Sequence, residues 1–328
     1  MPTVSLTEAE DLVARALERN RTAKDNARVV AKALVLAEAD GIKTHGLLRT
    51  AFYAAQAKAG KVDGFATPDA KKPRPGVLVI DASNGFAYPA IDLAISCLPP
   101  MTAASGIGAA GIGRSHHCGA TGHHAERLAD AGLVALFFAN GPAAMAPWGG
   151  KTAVFGTNPI AFACPLPGRE PIVVDLSLSK VARGNVMAAA KKGEPIPEGW
   201  ALDVDGKPTT DANAALAGTM VPLGDAKGTA LALMVELIAA GLTGSNFAAE
   251  ASSYFDAEGP PSMTGQFIIA LDPAVFASGV ERFAVLARSI EEQDGARLPG
   301  MRRYELRRRA RAEGLQVSDA LLAELKAL

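Results

Sequence analysis

The stretch GIGAAGIGRSHHCGATGHHAERLADAGLVALFFAN, residues 106–140, decides which fold the chain can adopt. Its first six residues, 106–111, match the G-x-G-x-x-G pattern of dinucleotide-binding turns. That pattern binds a pyrophosphate when it follows a strand and opens a helix, because the phosphates then meet the helix N-terminus. Here a predicted helix precedes the glycines and a strand-like run follows them. We therefore predict a glycine helix cap leading into a strand, and not a Rossmann turn.

Short apolar runs separated by Gly, Pro and Asn continue through the middle of the chain. They include LVALFFAN (133–140), AVFGTNPIAFACP (153–165) and PIVVDLS (171–177). Runs of this length fit strands, and the gaps between many of them are too short for a helical crossover, so antiparallel pairing is favoured over βαβ units. The predicted fold class is therefore α/β in the broad sense (α+β), with a largely antiparallel sheet.

Helices are predicted toward both ends of the chain. They cover residues 5–19, residues 22–40, part of 92–104, residues 227–242 and much of the chain from 273 onward. Ser5 or Thr7 is expected to cap the first helix and Thr22 the second, since their hydroxyls accept the free N–H groups of a first turn. Pro99 and Pro100 are expected to interrupt the helix at 92–104, because proline has no N–H to donate.

Composition excludes several classes of protein. The chain has 328 residues, enough for two domains, and 33 Lys+Arg against 34 Asp+Glu give a formal net charge of -1. Such balance argues against binding to nucleic acid or a membrane surface, because both need clustered positive charge. No apolar run is long enough for a membrane span, and the N-terminus lacks the pattern of a signal peptide. Together with 3 widely spaced cysteines, this predicts a cytoplasmic protein with reduced thiols.

The histidines are concentrated within 116–124, beside Cys118, a grouping that raises the question of a zinc site. Adjacent histidines rarely point the same way, and no second cysteine or carboxylate stands at ligand spacing, so no metal is predicted. Residues 124–129 predict the opening of a helix. The N–H groups of 118–122 would then lie at a helix start, where the dipole favours an anion such as a cofactor phosphate.

Thr44, His45 and Arg49 form a further candidate site. If the segment 42–60 is helical, His45 and Arg49 lie on one face of the helix. A histidine beside a hydroxyl can act as a general acid near neutral pH, and an arginine can clamp a carboxylate through two hydrogen bonds. The group suits reduction of a small 2-keto or 2-imino acid. The alternative is that both are ordinary surface residues of a helix.

Several motifs together resemble the type-2 malate/L-lactate dehydrogenase family. The segment 40–49 is similar to its D-G-x-x-S-H-G-x-x-R signature. Further matches, in order along the chain, are HCG (117–119), APWGG (146–150), FGTNPIAFA (155–163), VVDLSLSKVARG (173–184) and LPGMRR (298–303). The resemblance implies an NAD(P)H-dependent oxidoreductase and homodimer, in which a non-Rossmann, largely antiparallel NAD(P)-binding sheet domain is inserted into a helical domain. The ranges implied are 116–279 for the sheet domain, and 1–115 with 280–328 for the helical, substrate-binding and dimerisation domain.

Within that family the chain is most similar to the Δ1-piperideine-2-carboxylate/Δ1-pyrroline-2-carboxylate reductases, which reduce cyclic 2-imino acids to L-amino acids. In that group a Ser-His pair works with an aspartate. Thr44 and His45 match the pair as catalytic residues, whereas Asn185 stands in place of the aspartate. An asparagine can orient a partner but cannot stabilise an imidazolium as a carboxylate does. A 2-hydroxy-acid dehydrogenase is therefore the alternative, and a non-catalytic metal-binding protein is the third hypothesis.

The resemblance also implies binding positions. Arg49 and Thr157 match substrate contacts. The implied cofactor contacts are His117, Cys118, Gly119, Ala120, Asp175, Leu176, Ser177, Arg183, Gly184, Lys227, Arg297, Arg302 and Arg303. The tail arginines favour NADPH over NADH, because arginine binds a 2′-phosphate well. These positions have structural alternatives: the Thr157 hydroxyl can bond its own turn, Lys227 can open a helix, and the tail arginines can form a solvated face.

Overall fold

The computed structural model describes residues 2–277 and 279–328. Its α-helices are α1 (Leu6–Arg19), α2 (Lys24–Ala39), α3 (Arg49–Ala59), α4 (Ala87–Ser105), α5 (Thr121–Asp130), α6 (Arg183–Lys192), α7 (Ala212–Ala217), α8 (Ala226–Glu236), α9 (Glu281–Glu291), α10 (Met301–Glu313) and α11 (Asp319–Ala327). Short 3-10 turns lie at Lys43–His45 and Pro273–Val275, and a π-helical turn at Leu237–Gly241 continues α8. The strands are β1 (Thr3–Val4), β2 (Asp69–Arg74), β3 (Val77–Asp81), β4 (Ile107–Ser115), β5 (Val134–Ala139), β6 (Ile160–Leu166), β7 (Arg169–Leu176), β8 (Ala201–Leu202), β9 (Pro208–Thr209), β10 (Thr219–Met220), β11 (Thr264–Leu271) and β12 (Leu315–Gln316).

A seven-stranded sheet forms the centre of the structure, with the strand order β2-β3-β4-β11-β5-β6-β7. Neighbouring strands in this sheet are antiparallel, except that β3 and β4 are parallel. That pair is connected through α4, which supplies the long crossover that parallel strands need. The prediction of an α/β protein with a largely antiparallel, non-Rossmann sheet is confirmed.

The glycines of 106–111 serve the junction between α4 and β4. Gly106 ends α4 with φ 74°, a left-handed conformation that glycine adopts without strain. At Gly108 a Cβ would approach the Thr102 hydroxyl oxygen to 2.8 Å, so glycine allows the strand to lie close to the helix. The predicted glycine cap leading into a strand is confirmed.

The start of α2 corrects one helix prediction. Ser5 does cap α1, through a capping box with Glu8, but Thr22 does not cap α2, which follows Ala23. The Ala23 N–H donates to the Gly64 carbonyl at 3.1 Å, so the loop at 64 holds the chain extended up to Ala23. The Thr22 hydroxyl therefore lies one residue too early to reach the free N–H groups of the first turn.

The helix α4 corrects a second prediction, because it continues through Pro99 and Pro100. Each proline costs about 3 kcal/mol within a helix. Burial of a large apolar side chain contributes about 1.5–3 kcal/mol, and Ile95, Leu98 and Met101 are all buried in the core that α4 shares with the sheet. Tertiary packing thus offsets the backbone bonds that the prolines lack.

The sheet is covered by helices on both faces. On one face α4 and α5 pack against the strands around Leu98, Leu128 and Phe137. On the other face α8 and the π-helical turn pack through Phe138 and Val235. A separate helical core joins α1, α2, α3 and the C-terminal segment. None of the helices among the described residues is long and apolar enough to cross a membrane.

The pairing directions bring several chain segments to one sheet edge. Because β4, β5 and β7 run in the same direction, their carboxyl ends meet there, together with the starts of β6 and β11. The loops that follow these strands are the ones in which sequence motifs were found. Three strands, β2, β3 and β4, come from 69–115, so the sheet extends past the predicted domain boundary at 115/116. The division into two domains stays a prediction.

Candidate active site

A cavity of about 460 Å³ lies at this sheet edge, where the loops meet the start of α3. The predicted site residues that line it are Thr44, His45, Arg49, His117, Cys118, Gly119, Ala120, Thr157, Asp175, Ser177, Arg183 and Gly184. These residues are spread over much of the sequence, from the first helices to the sheet. The fold therefore gathers one site from the separate motifs.

A tight turn presents Thr44 and His45 to the cavity. The segment 42–60 is not one continuous helix, because a 3-10 turn at Lys43–His45 ends before α3 begins at Arg49. The condition under which His45 and Arg49 would share one helix face is therefore not met. The buried Glu38 carboxylate accepts the Leu47 N–H at 3.1 Å and braces this turn. At Gly46 a Cβ would clash with the Glu38 carboxylate, so a larger residue there would displace that carboxylate or the turn.

His45 is the group best placed to move a proton. Its Nδ1 atom lies 3.0 Å from the Thr44 hydroxyl oxygen, and its ring stacks on His117 with centroids 5.3 Å apart. Burial, reinforced by the positive charge of Arg49, lowers the pKa of His45 to about 4. The imidazole is therefore neutral near pH 7 in this state, ready to accept a proton.

Arg49 is a buried cation with hydrogen-bonding capacity left over. Its Nε atom donates to the Thr44 carbonyl at 2.8 Å, and Phe255 covers the guanidinium at 4.6 Å from the ring centroid. The buried Nη1 atom has no partner among the described residues. A buried cation with an unsatisfied N–H is costly unless an anion reaches it. A ligand carboxylate would satisfy it.

His117 and Cys118 form a wall of the cavity. The His117 Nδ1 atom lies 2.5 Å from the Tyr53 hydroxyl oxygen, which lies 3.2 Å from that of Tyr88. Burial lowers the pKa of His117 and raises that of the Cys118 thiol to about 12. The wall is therefore uncharged near pH 7, and the cysteine is not a nucleophile.

The remaining histidines of 116–124 have separate surroundings. His123 contacts the Asp40 carboxylate at 2.8 Å, and His124 contacts the Cys118 carbonyl at 2.7 Å. Burial lowers the pKa of His116 and of His124 to about 3. In the part of the chain that the structure describes, no group of three His, Cys, Asp or Glu side chains could hold a metal ion.

The carboxylate of Asp175, near the end of β7, contacts the start of α5. Its carboxylate accepts the Thr121 hydroxyl at 2.7 Å and the Gly122 N–H at 2.8 Å. The dipole of the helix favours this negative charge. The Gly122 N–H is therefore taken by the chain's own carboxylate, and binding of a cofactor phosphate by the N–H groups before it stays a prediction.

A buried ion network connects α10 to Asp40, just before the turn at Lys43–His45. Arg307 donates to Asp40 through Nε at 2.7 Å and Nη2 at 2.6 Å, and it also binds Glu126. Burial alone would raise the pKa of Asp40, but the hydrogen bonds from Arg307 and His123 outweigh it and lower that pKa. Asp40 therefore stays ionised, and its contacts with Arg307 hold α10 next to the turn at Lys43–His45.

Arg303 belongs to the same network. It is 8% exposed and lies 3.6 Å from Asp40 and 3.5 Å from Glu126. The alternative of a solvated face is wrong for this arginine, because two buried carboxylates surround it. Arg297 and Arg302 are exposed.

Other predicted positions do not line the cavity. Asn185 and Lys227 are exposed in the first turns of α6 and α8, and Leu176 is 40% exposed at the end of β7. Arg183 does line it, at the start of α6, and burial lowers its pKa. The next residue, Gly184, packs so closely that a Cβ would lie 2.5 Å from Thr44 Cγ2. The catalytic role of Asn185 stays a prediction.

Residues that the motifs did not indicate complete the walls. Asn140, Ser253, Tyr254 and Phe255 line the cavity. The buried Glu236 carboxylate holds part of this wall, since it accepts the Asn140 side-chain N–H at 3.0 Å and the Ala248 N–H at 2.6 Å. The feature of the sequence that could have indicated these wall residues is the aromatic pair at 254–255, within an otherwise polar segment.

Comparison with known proteins identifies the family. A family model described as malate/L-lactate dehydrogenase matches residues 4–326. The (2R)-3-sulfolactate dehydrogenase (NADP(+)) of Chromohalobacter salexigens is 53% identical over 99% of this chain and 97% of that protein. The Δ1-pyrroline-2-carboxylate/Δ1-piperideine-2-carboxylate reductase of Pseudomonas aeruginosa is 41% identical over 99% of this chain and 98% of that protein. The crystal structure of Δ1-piperideine-2-carboxylate reductase from Pseudomonas syringae pv. tomato superposes with a TM-score of 0.94, with 38% identity, over 100% of this chain and 99% of that one.

These matches agree with the fold and the cavity. The family model and the relatives named as dehydrogenase and reductase show that the chain is an NAD(P)-dependent oxidoreductase. The chain belongs to the malate/L-lactate dehydrogenase family. The resemblance inferred from the sequence motifs is thereby confirmed at the level of the family.

Proposed function

We propose that this chain is an NADP-dependent oxidoreductase that interconverts a small 2-hydroxy acid and the matching 2-keto acid, with 3-sulfolactate as the first substrate to test. The observation that carries the proposal is Arg49, a buried cation with a free N–H beside a neutral His45 in one cavity. That arrangement suits an acid whose reacting carbon is next to a carboxylate. The relative at 53% identity, named for (2R)-3-sulfolactate and NADP(+), supports the choice of substrate.

Each residue then has a defined task. Arg49 holds the substrate carboxylate, and its contact with the Thr44 carbonyl keeps the guanidinium in place. In oxidation the neutral His45 accepts the proton of the 2-hydroxyl. In reduction the substrate carboxylate first offsets the Arg49 charge, one of the causes that lower the pKa of His45. The histidine then holds a proton more readily and donates it to the developing alkoxide.

The cavity walls fit a nicotinamide cofactor. Arg183 lines the cavity, and burial is the one cause that lowers its pKa. Among the described residues no carboxylate raises that pKa or pairs with its guanidinium. Such a cation matches the negative charge of a dinucleotide phosphate. We assign Arg183, Gly184, Ser177 and the wall 117–120 to that cofactor, with NADPH preferred. When bound, the cofactor supplies or accepts the hydride.

Reduction of a cyclic 2-imino acid is the second candidate. The relatives named as Δ1-pyrroline-2-carboxylate and Δ1-piperideine-2-carboxylate reductases favour it. So does the low pKa of His45, because an iminium carries its own proton and needs no acid from the protein. Asn185 favours the first candidate, because the reductases that the sequence resembles have an aspartate at this position.

A substrate panel tests the proposal. The decrease of NADPH absorbance is followed with 3-sulfopyruvate, oxaloacetate, pyruvate and the two cyclic imines. We expect the keto acids to give a kcat/KM at least about tenfold above either imine, a difference of about 1.4 kcal/mol in the barrier. Faster turnover of the imines would select the second candidate. No turnover of any member would refute both.

Substitution at Arg49 tests the carboxylate clamp. Arg49→Lys keeps the charge and loses the planar fork, so kcat/KM for the acid is expected to fall about 10- to 100-fold, as for one or two charged hydrogen bonds. The matched control is Arg28→Lys, a half-exposed arginine paired with Asp11 on the far helices. An unchanged kcat/KM in Arg49→Lys would remove Arg49 from the substrate site.

A homodimer is part of the proposal. The support is a set of exposed apolar side chains at helical spacing on α8 and the turn after it, Leu233, Met234 and Leu237. Contiguous exposed apolar surface is typical of protein interfaces. Light scattering of the purified protein tests this, and a monomeric mass would contradict it.

A further inference from the structure

The segment 245–263, between the π-helical turn and β11, lies along α3 and forms the outer wall of the cavity. Phe255 stacks on Arg49 with 4.6 Å between the guanidinium carbon and the ring centroid. The edge of Phe52 meets the same ring, with centroids 5.8 Å apart and planes at 87°. The wall thus touches the arginine that we assign to the substrate carboxylate.

A second contact holds the same segment at the other end of α3. The Asp256 carbonyl accepts the Gln56 side-chain N–H at 2.9 Å and the Lys61 ammonium at 3.2 Å. The Asp256 carboxylate accepts the Lys61 ammonium at 2.9 Å. The side chain of Lys61 is 1% exposed, and that of Asp256 is 49% exposed. The Lys61 ammonium is therefore buried, whereas the Asp256 carboxylate lies at the surface.

The burial of Lys61 makes this contact obligatory. A buried ammonium group without acceptors is costly, because it has lost its water. Asp256 supplies acceptors from both its carbonyl and its carboxylate, and the two residues stand 195 positions apart in the chain. Whenever α3 is folded with Lys61 buried, the segment carrying Phe255 is drawn onto it.

We propose that Lys61 is a positioning residue for substrate binding, which holds the Asp256 segment on α3 so that Phe255 covers one face of Arg49. With that face covered, the guanidinium plane is fixed and its N–H edge is left for the substrate carboxylate. Lys61 itself does not line the cavity. The inference rests on the role proposed above for Arg49.

The test compares two lysines near the same end of α3. Lys61→Met removes the ammonium and keeps the apolar stem, whereas Lys58→Met is the control, because Lys58 is exposed. For Lys61→Met we expect the KM of the acid substrate to rise about 5- to 20-fold with kcat within about threefold, as for loss of binding made equally in ground and transition states. The KM of NADPH and the kinetics of Lys58→Met are expected to stay within about twofold of wild type.

A second variant and a second readout keep the proposal falsifiable. Phe255→Leu leaves the buried ammonium intact and is expected to show the same selective rise in the KM of the acid. Hydrogen exchange of the peptide 249–259 is expected to be faster in Lys61→Met and unchanged in Lys58→Met. Equal rises in both KM values, or unchanged exchange and unchanged KM in Lys61→Met, would overturn the proposal. If the wild type reduces no acid in the panel, the proposed function fails, and the exchange measurement still decides whether Lys61 holds the segment.

Discussion

The pH dependence of substrate oxidation tests the state of His45 directly. Burial and the charge of Arg49 lower its pKa from 6.5 to about 4. Lowering the pH protonates the imidazole, and the protonated form cannot accept the hydroxyl proton. With a pKa of about 4 the neutral fraction at about pH 5.5 is about 97%, whereas with an ordinary pKa near 6.5 it is about 9%.

The assay is kcat/KM for oxidation of the 2-hydroxy acid with saturating NADP(+), measured between about pH 4 and pH 8. This ratio reports the groups of the enzyme before the substrate binds. We expect nearly full kcat/KM at about pH 5.5, and a decline only as the pH approaches about 4. Enzyme returned from each pH to neutral buffer must recover its activity, which separates titration from unfolding.

A substitution provides the control for the assignment. His45→Asn keeps a polar group beside Thr44 but cannot take up a proton in this range. Its kcat/KM is expected to be about 10²- to 10⁴-fold lower, the usual contribution of a general base, and to lack the acid limb. A tenfold loss of wild-type kcat/KM between about pH 7.5 and pH 5.5 would refute the argument from burial and charge.

Two further predictions concern the support of the site. Arg307→Met leaves Asp40 and Glu126 buried without their main cation, so the free energy of unfolding is expected to fall by about 3–5 kcal/mol. For a chain of this size that loss lowers the Tm in scanning calorimetry by about 4–8 °C. A Tm within about 1 °C of wild type would mean that the ion network does not stabilise the fold. Gly46→Ala places a methyl group against the buried Glu38 carboxylate, so either that carboxylate, which accepts the Leu47 N–H, or the turn must move. We expect kcat to fall about tenfold or more, because such displacements misalign the reacting groups. Steady-state kinetics on a variant with unchanged Tm measure this, and a wild-type kcat would contradict the prediction.

The cavity combines a neutral base, His45, with a cation that can bind a carboxylate, Arg49, and the two together restrict which substrates it can reduce. A keto acid needs a proton from the protein during reduction, whereas an iminium does not. His45 can serve the first case only when an anion on Arg49 counters one cause of its low pKa. Binding of the carboxylate and readiness of the proton donor are therefore coupled in the proposed mechanism.

Local signals in the sequence were sufficient for much of the fold. The alternation of short apolar runs predicted β5, β6 and β7, and the capping pattern at Ser5 predicted the start of α1. The helix before residues 106–111 and the strand after them excluded a Rossmann turn. These predictions succeed because periodicity, caps and turn residues act over a few neighbours.

Motif resemblance found most of the residues that line the cavity, whereas two local helix predictions failed for a common reason. Thr22 and the prolines of α4 were misjudged because contacts from distant segments outweigh local preferences. Asp175 lines the cavity as the motif predicted, and its contact with a cofactor stays a prediction. Arg303 was given a solvated alternative, yet it lies among buried carboxylates.

The sequence alone determined the class of fold, the motifs and the pair His45 and Arg49, because these depend on residue type and short spacing. Tertiary structure alone decided which groups face those residues. Phe255 contacts Arg49, and Lys61 contacts Asp256 although the two residues stand 195 positions apart in the sequence. The reason is physical: the pKa of a histidine and the free N–H of an arginine are set by burial and by neighbours in space, which no local pattern records.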